Sequence, residues 1–335
     1  MNLAFLRLPA AERHLYFEQT AIRRNVSGVI LEKDFWVCWM LGVLFQSEFA
    51  DHLVFKGGTS LSKVFGVIER FSEDIDLSLS PAFLKLEAAG RTRNQINKWM
   101  ARAEAACAKA VQDQIHPAIE AAARAVLEHR AAPWLEFLRD SGTHSPILLF
   151  HYPSTQPTGF DYLTRSVKLE FGSLTDQQPA GWHPIRPWIA ETLPAAFSDW
   201  RCDVVALELE RTFWEKATIL HAEYHRPADK PTPSRFSRHY ADVAALAKHP
   251  HASQAIHQHD ARDRVVKWKS QFFGSAWAKY DHAKPGTFRL LPRPERLQDL
   301  RRDYQAMRDM YLGDPTSFDE ILAVLKELEI RINSG

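Results

Sequence analysis

The chain has 335 residues, of which 45% are hydrophobic and 25% charged, an ordinary balance for a soluble globular protein. Its formal net charge of +1 excludes an electrostatic field of the whole protein that attracts nucleic acid. A surface that binds nucleic acid must therefore be a local patch of positive charge. Three scattered cysteines predict neither a disulfide framework nor a zinc site. No apolar run has the length of a signal sequence or of a membrane-spanning helix. We therefore expect a cytoplasmic protein without a membrane partner.

Two helices are predicted within residues 9–50. The first has Pro9 in its first turn and a broken apolar stripe after it. The second begins at about Leu31 and is apolar over most of its circumference, which predicts a buried helix. Lys33 and Asp34 near its start are interpreted either as solvated charges or as part of the family motif named below.

A glycine turn follows the short apolar run 53–55. Because Gly57 and Gly58 have no side chain, they permit unusual backbone angles and let a phosphate approach the main chain. Thr59 and Ser60 are expected to cap a helix over residues 61–68, whose first N–H groups would point at an anion. The turn predicts a site for nucleotide phosphates, although a glycine pair before Thr-Ser is also a common turn and cap.

Two carboxylates mark the next predicted strand, residues 74–79. Residues two apart on a strand face the same way, so Asp74 and Asp76 lie on one side while Ile75 and Leu77 face the other. Like charges this close repel each other unless a cation lies between them, and oxygen-only ligands suit Mg²⁺ or Mn²⁺. Asp-x-Asp alone occurs by chance, but together with the glycine turn it predicts a phosphoryl- or nucleotidyl-transfer site.

The two motifs resemble the signature of the AbiEii/AbiGii toxin family of nucleotidyltransferases. The similarity lies in Lys-Gly-Gly-Thr-Ser-Leu-Ser-Lys at residues 56–63 and Arg-Phe-Ser-Glu-Asp-Ile-Asp-Leu-Ser at residues 70–78. It implies an α/β (α+β) fold: a DNA polymerase β-like nucleotidyltransferase core with helical insertions and a helical C-terminal lobe. It also implies an NTP substrate, bound by the glycine turn together with Lys56 and Lys63.

Residues 1–200 are expected to form this core, with a helical insertion over about 90–135 that is interrupted near His116 by Pro117. Strands are predicted at 146–152 and 162–171. The family carries a third metal carboxylate on a strand beside the Asp-x-Asp strand, and Lys168-Leu169-Glu170 resembles that element. Glu170 is therefore the candidate third ligand, or else lies on the wet face of an antiparallel strand, and Lys168 is a candidate for binding a triphosphate.

Residues 201–335 are expected to form a mainly helical C-terminal lobe, in which 209–225 is a helix. Its Glu-Lys pair resembles a family element that faces the active site, so Lys216 is expected to neutralise triphosphate charge. No acidic residue lies one helical turn away from Lys216, which favours an anionic ligand over an ion pair within the helix.

A proline-broken basic loop leads into the next predicted helix. Arg-His-Tyr-Ala-Asp-Val resembles a family Arg-Asp-x-x-Asp element, in which Asp242 matches one acidic position and His239 departs from the other. Asp242 is a candidate catalytic residue. Arg235 and Arg238 are candidates for binding nucleic acid, or else are ordinary solvated loop residues.

These patterns together predict a Mg²⁺-dependent nucleotidyltransferase that transfers NMP from an NTP to an acceptor. The resemblance implies a toxin whose acceptor is an RNA, such as a tRNA 3′ end, and a cognate antitoxin as its partner. A phosphotransferase acting on a protein or small molecule, a metal-dependent nuclease and a non-catalytic nucleotide-binding module remain alternatives.

Overall fold

The computed structural model describes residues 3–87, 90, 92–127, 130–156 and 164–334, except for the side chain of residue 309. The chain forms two compact units. Residues 1–64 and 72–206 form the first, and residues 65–71 and 207–335 form the second. The predicted division into 1–200 and 201–335 stays a prediction.

The first unit contains a mixed sheet of seven strands among the described residues. Its helices are α1 (Ala10–Arg24), α2 (Gly28–Phe45), α3 (Gly57–Lys63), α4 (Arg93–Ala110), α5 (His116–Val126) and α6 (Trp188–Thr192). Its strands are β1 (Leu53–Lys56), β2 (Ile75–Leu79), β3 (Leu135–Arg139), β4 (Pro146–Phe150), β5 (Val167–Gly172), β6 (Ala180–Pro184) and β7 (Asp203–Leu207).

The strands lie in the order β3-β4-β5-β2-β1-β7-β6. Strand β2 is at the centre, antiparallel to β1 and parallel to β5. Strand β1 is parallel to β7, and β4 is antiparallel to both β3 and β5. The Asp-x-Asp strand therefore has hydrogen-bonded neighbours on both sides. The predicted α/β class is confirmed.

Helix α2 forms the centre of the hydrophobic core, as its apolar circumference predicts. Its described residues from Leu31 to Phe45 are all buried. Trp36 stacks on Tyr152 with ring centroids 5.8 Å apart, and Trp39 stacks on Phe150 at 5.5 Å. This aromatic packing joins α2 to β4 and the residues that follow it, so the sheet is backed by a helix with little freedom to shift.

One expectation for the first unit is wrong in detail: helix α3 begins at Gly57 rather than near Leu61 and ends at Lys63. The helical insertion does consist of two helices that meet near His116, since α5 begins at that residue and a π-helical segment, Val111–Ile115, joins it to α4. Pro117 lies in the first turn of α5, where its missing N–H costs little.

The strand predictions differ from the structure in length and number. The predicted strand 162–171 is observed from Val167, and its first two residues lie outside the described part of the chain. Strands β3 and β6 were not predicted. Both lie at the ends of the sheet and are largely exposed, so they lack the alternation of apolar residues that marks a half-buried strand.

The second unit is mainly helical, as expected for the C-terminal part of the chain. Segment 65–71 belongs to it because Phe71 N donates to Met310 O at 2.7 Å and Leu312 N donates to Glu69 O at 3.0 Å. Its helices are α7 (Leu209–Tyr224), α8 (Ser237–Lys248), α9 (His259–Phe272), α10 (Leu297–Ala306) and α11 (Phe318–Asn333). No helix within the described residues combines the length and apolarity needed to cross a membrane.

Candidate functional site

The glycine turn joins β1 directly to α3 and lies against the carboxylate of Asp76. Gly57 has a φ of +85°, a backbone conformation that residues with a side chain rarely adopt. A Cβ on Gly57 would lie 2.0 Å from Asp76 Oδ2. Both the backbone angle and the close approach therefore require glycine at position 57. Gly58 is not among the glycines with positive φ, so the backbone conformation favours glycine more strongly at position 57 than at position 58.

Thr59 and Ser60 do not cap α3, which corrects the expectation from the sequence. Both side chains are fully buried. The Thr59 hydroxyl lies 2.5 Å from the carbonyl oxygen of Asp74, to which it donates, and 2.9 Å from Ser72 Oγ. The Ser60 hydroxyl donates to Gly57 O at 2.9 Å. The Thr59 hydroxyl therefore joins the glycine turn to the residues that lead into β2, whereas the Ser60 hydroxyl bonds within the turn.

Asp74 and Asp76 share one side of the chain, as the alternation predicts. Asp74 directly precedes β2 and Asp76 lies within it, and both are partly exposed while Ile75 and Leu77 are buried. Across the sheet, Asp76 is opposite Lys56 on β1 and opposite Glu170 on β5. Three charged residues thus form one row across three adjacent strands.

Strand β5 lies beside the Asp-x-Asp strand, in agreement with the resemblance, and carries a cation next to Glu170. Lys168 Nζ lies 2.8 Å from Glu170 Oε2. Burial alone would lower the pKa of Lys168, but the hydrogen bond and charge of Glu170 and the charges of Asp74 and Asp140 outweigh it and raise that pKa. The Lys168 ammonium therefore stays charged among these carboxylates.

The donor chemistry of Asp74, Asp76 and Glu170 fits a hard divalent cation, because all three offer only oxygen. In the described part of the chain, however, no three His, Cys, Asp or Glu side chains are already grouped around one metal position. Glu170 instead binds Lys168. The assignment of Asp74, Asp76 and Glu170 as metal ligands therefore stays a prediction.

The two lysines of the family motif lie in different environments. Lys56 ends β1, is partly exposed and pairs with Asp76 across the sheet. The side chain of Lys63 is only 4% exposed, and its ammonium forms an ion pair with Asp34 and lies 4.2 Å from the ring centroid of Trp188. These contacts give Lys63 a structural partner, so we leave it out of the site proposed below.

Sequence reasoning missed the role of the charged residues at the start of α2. Lys33 and Asp34 are not solvated: they are 1% and 2% exposed, and each forms an ion pair. Their partners, Glu73 and Lys63, lie in the two motifs that define the site. The signal in the sequence was their position within an otherwise apolar helix, where charges are expensive unless they are paired.

A buried ionic cluster in the second unit contains two predicted site residues. Arg70 binds the carboxylate of Asp242 through Nε and Nη2, each at 2.9 Å, and Lys216 Nζ lies 2.8 Å from Asp242 Oδ2. Burial would raise the pKa of Asp242, but the charges and hydrogen bonds of Arg70 and Lys216 outweigh it and hold that pKa well below its usual range. Lys216 thus has an acidic partner, supplied by α8 rather than by its own helix.

The basic loop leads into α8 beside this cluster. Arg235 is exposed and has a φ of 58°, and its backbone N–H donates to Asp303 Oδ1 at 2.6 Å. Arg238 is partly exposed in the first turn of α8. Burial and the charge of Lys216 lower the pKa of His239 well below its usual range, so the imidazole is neutral. The binding of nucleic acid by Arg235 and Arg238 stays a prediction.

Comparison with known proteins agrees with this geometry. A family model described as nucleotidyl transferase AbiEii toxin, type IV TA system, matches residues 39–324. The protein is therefore a nucleotidyltransferase by class. More narrowly, the chain belongs to the AbiEii family of type IV toxin–antitoxin systems, which confirms the resemblance seen in the sequence.

Among solved structures, the chain is similar to MenT4, a nucleotidyltransferase toxin from Mycobacterium tuberculosis H37Rv. The two are 14% identical, the TM-score is 0.36, and the match covers 90% of this chain and 99% of that chain. No curated protein matches the chain significantly.

Proposed function

We propose that this toxin is a Mg²⁺-dependent enzyme of the cytoplasm that transfers NMP from an NTP to the 3′ end of an RNA such as a tRNA. The observation that carries the proposal is the row of Asp76 and Glu170 on neighbouring strands, in which Asp76 lies against the glycine turn at Gly57. A nuclease would need the carboxylates but not a turn that admits a triphosphate.

The residues of the first unit divide the work between phosphate and metal. The backbone of Gly57 and Gly58 is proposed to bind the phosphates, next to the Asp76 carboxylate, which lies where a side chain of Gly57 would be. Asp74, Asp76 and Glu170 are the residues that would hold Mg²⁺ or Mn²⁺, which when bound neutralises the triphosphate and favours in-line attack at the α-phosphorus. Lys168 supplies a positive charge two residues from Glu170, where it can bind phosphate oxygens.

Lys216 is proposed to bind phosphate because its Glu-Lys pair resembles the family element that faces the active site. In the buried cluster, Lys216 and Arg70 both bind the carboxylate of Asp242, and a compact lysine ammonium is suited to phosphate oxygens. In this proposal Asp242 holds the lysine in position, and the lysine stabilises the leaving pyrophosphate.

The acceptor and the partner are proposed from the family. The chain belongs to a family of toxins of type IV toxin–antitoxin systems, so a cognate antitoxin is the expected protein partner. Arg235, in the proline-rich loop, and Arg238, in the first turn of α8, supply cations suited to the phosphates of an RNA 3′ end.

The test incubates the purified chain with each α-labelled NTP, MgCl₂ and total tRNA. One labelled nucleotide is expected to appear on the RNA, and the label should be absent with EDTA. Label on RNA without a metal requirement would refute the Mg²⁺ dependence.

Parallel reactions with γ-labelled NTP and with protein or small-molecule acceptors separate the alternatives. Transfer of the γ-label to protein or to a small molecule would identify a phosphotransferase. Shortened RNA without label would identify a nuclease. Binding of NTP without transfer to RNA, protein or any small-molecule acceptor would identify a non-catalytic binding module. Each of these results contradicts the proposed function.

A further inference from the structure

The first turns of α2 bury three consecutive charged residues, Glu32, Lys33 and Asp34, which are 1%, 1% and 2% exposed. Charged side chains are almost never buried to this extent unless other groups form ion pairs or hydrogen bonds with them. Consecutive side chains on a helix point about 100° apart, so the three reach different parts of the first unit. Glu32 accepts hydrogen bonds from the backbone and hydroxyl of Thr155 at 2.6 and 2.8 Å.

Lys33 joins the segments that lead into β2 and β5. Its ammonium forms an ion pair with Glu73, the residue before Asp74, and donates to the carbonyl oxygen of Thr164 at 2.8 Å. Thr164 lies shortly before the start of β5. Because β2 and β5 are parallel neighbours, the two segments lead into strands that begin at the same end of the sheet. One buried ammonium therefore fixes the starts of the two strands that carry Asp76 and Glu170.

Asp34 fixes the helix that begins at the glycine turn. One carboxylate oxygen pairs with Lys63, the last residue of α3, and the other accepts from Trp188 N at 2.7 Å. Burial alone would lower the pKa of Lys63, but the charge of Asp34 outweighs it and raises that pKa. Burial raises the pKa of Asp34 in spite of the charge of Lys63. The far end of α3 is thereby held to α2.

We propose that Lys33 and Asp34 are positioning residues of the transfer site. Lys33 sets the spacing of the strands that carry Asp74, Asp76 and Glu170, and Asp34 sets the place of α3 and its glycine turn. The inference rests on the proposed function for its catalytic consequence, whereas the anchoring itself is a property of the fold. Neither residue needs to touch the reacting atoms.

The test replaces both members of one ion pair, in the double variant Lys33→Met with Glu73→Gln. The single variant Lys33→Met would leave a carboxylate without its ammonium and lower the stability for that reason alone. The double variant removes both charges, so its loss of stability should be smaller than that of Lys33→Met, while the link between the two strands is still absent.

Glu120→Gln is the matched control. The Glu120 carboxylate is mostly buried and accepts hydrogen bonds from Trp134 N at 3.1 Å and Leu135 N at 2.8 Å, so it also anchors the start of a strand. That strand, β3, is at the edge of the sheet and is adjacent to neither β2 nor β5. The control measures the effect of loosening a strand start elsewhere in the same unit.

Two readouts are taken on the full chain: amide hydrogen exchange in segments 72–76 and 164–170, and the Mg²⁺-dependent transfer rate. In the double variant, exchange in both segments should rise at least tenfold. Transfer should fall on the order of 10²-fold, because small displacements of catalytic groups are that costly. Glu120→Gln should change neither.

Wild-type exchange and wild-type transfer in the double variant would overturn the inference. Faster exchange with an unchanged transfer rate would show that Lys33 is only a structural residue, and would also overturn the inference. If the wild-type chain transferred no nucleotide, the proposed function would fail, but exchange, which needs no nucleotide, would still decide whether Lys33 anchors both strands.

Discussion

Replacing Lys216 by alanine distinguishes a catalytic lysine from a structural one. The change removes one charge-assisted hydrogen bond to Asp242, while Arg70 keeps its two bonds to the same carboxylate. Hydrogen bonds to charged groups contribute roughly 1.5–3 kcal/mol to stability, so we expect Lys216→Ala to lower the free energy of unfolding by about 2 kcal/mol. Asp242→Asn removes the carboxylate that both buried cations bind and should cost about 3–5 kcal/mol.

Lys269→Ala provides a matched control in the same unit. Lys269 is also a buried lysine, its Nζ lies 3.2 Å from Glu215 Oε2, and an arginine, Arg211, binds the same glutamate at 2.6 Å. Lys269 makes one more contact than Lys216, since its Nζ also donates to Glu215 O at 2.7 Å. Urea unfolding should therefore give a loss of stability for Lys269→Ala at least as large as that for Lys216→Ala.

The transfer rate separates the two variants. Loss of one electrostatic contact to a transition state typically costs on the order of 10²–10³ in rate, so Lys216→Ala should lose that much at equal folded fraction, whereas Lys269→Ala should retain the wild-type rate. Lys216→Arg should restore little activity, since a planar guanidinium does not replace a compact ammonium. Equal transfer rates in the two alanine variants would refute the role of Lys216.

Three further predictions concern the other groups. Asp74→Asn with Asp76→Asn should abolish Mg²⁺-dependent NTP binding, measured by calorimetry, with little change in the melting temperature; retained binding would exclude these carboxylates as the site. Gly57→Ala should weaken NTP binding because its Cβ displaces Asp76, whereas Gly66→Ala, also at positive φ (+61°) but with open space around it, should cost only about 1–2 kcal/mol of stability. Burial and neighbouring cations lower the pKa of His225 to about 4. As the pH drops from about 6.5 towards 4, the imidazole therefore takes up a proton in the unfolded chain before it does so in the folded one, and the free energy of unfolding should fall. If the free energy of unfolding of His225→Gln fell as steeply with pH as that of the wild type, the prediction would be wrong.

The local parts of the site could be predicted from the sequence because their signals are local. The apolar run before Gly57 and the alternation of Asp74 and Asp76 with buried residues predict the strand, the turn and the shared side of the two carboxylates. The adjacency of Glu170 to Asp76 followed from the family resemblance, since no periodicity indicates which strands become neighbours.

The ion pairs could not be predicted, because their partners are far apart in the chain. Lys33 and Glu73 are separated by 40 positions, and Lys216 and Asp242 by 26. Lys216 has no acidic residue one turn away on its own helix, where such side chains meet, and its partner Asp242 lies on α8. Burial of an ionised group implies a partner but does not say which residue it is, and that choice is made by tertiary packing.

The anchoring role of α2 affects how the enzyme can be shortened. The family match begins at residue 39, inside α2 and after the buried charges at its start. A fragment cut at that boundary would retain the glycine turn and both aspartates but would lose the partners of Glu73 and Lys63. We therefore expect an active domain to need the whole of α2, and a boundary chosen from sequence similarity alone to yield a protein with an intact motif and a loosened sheet.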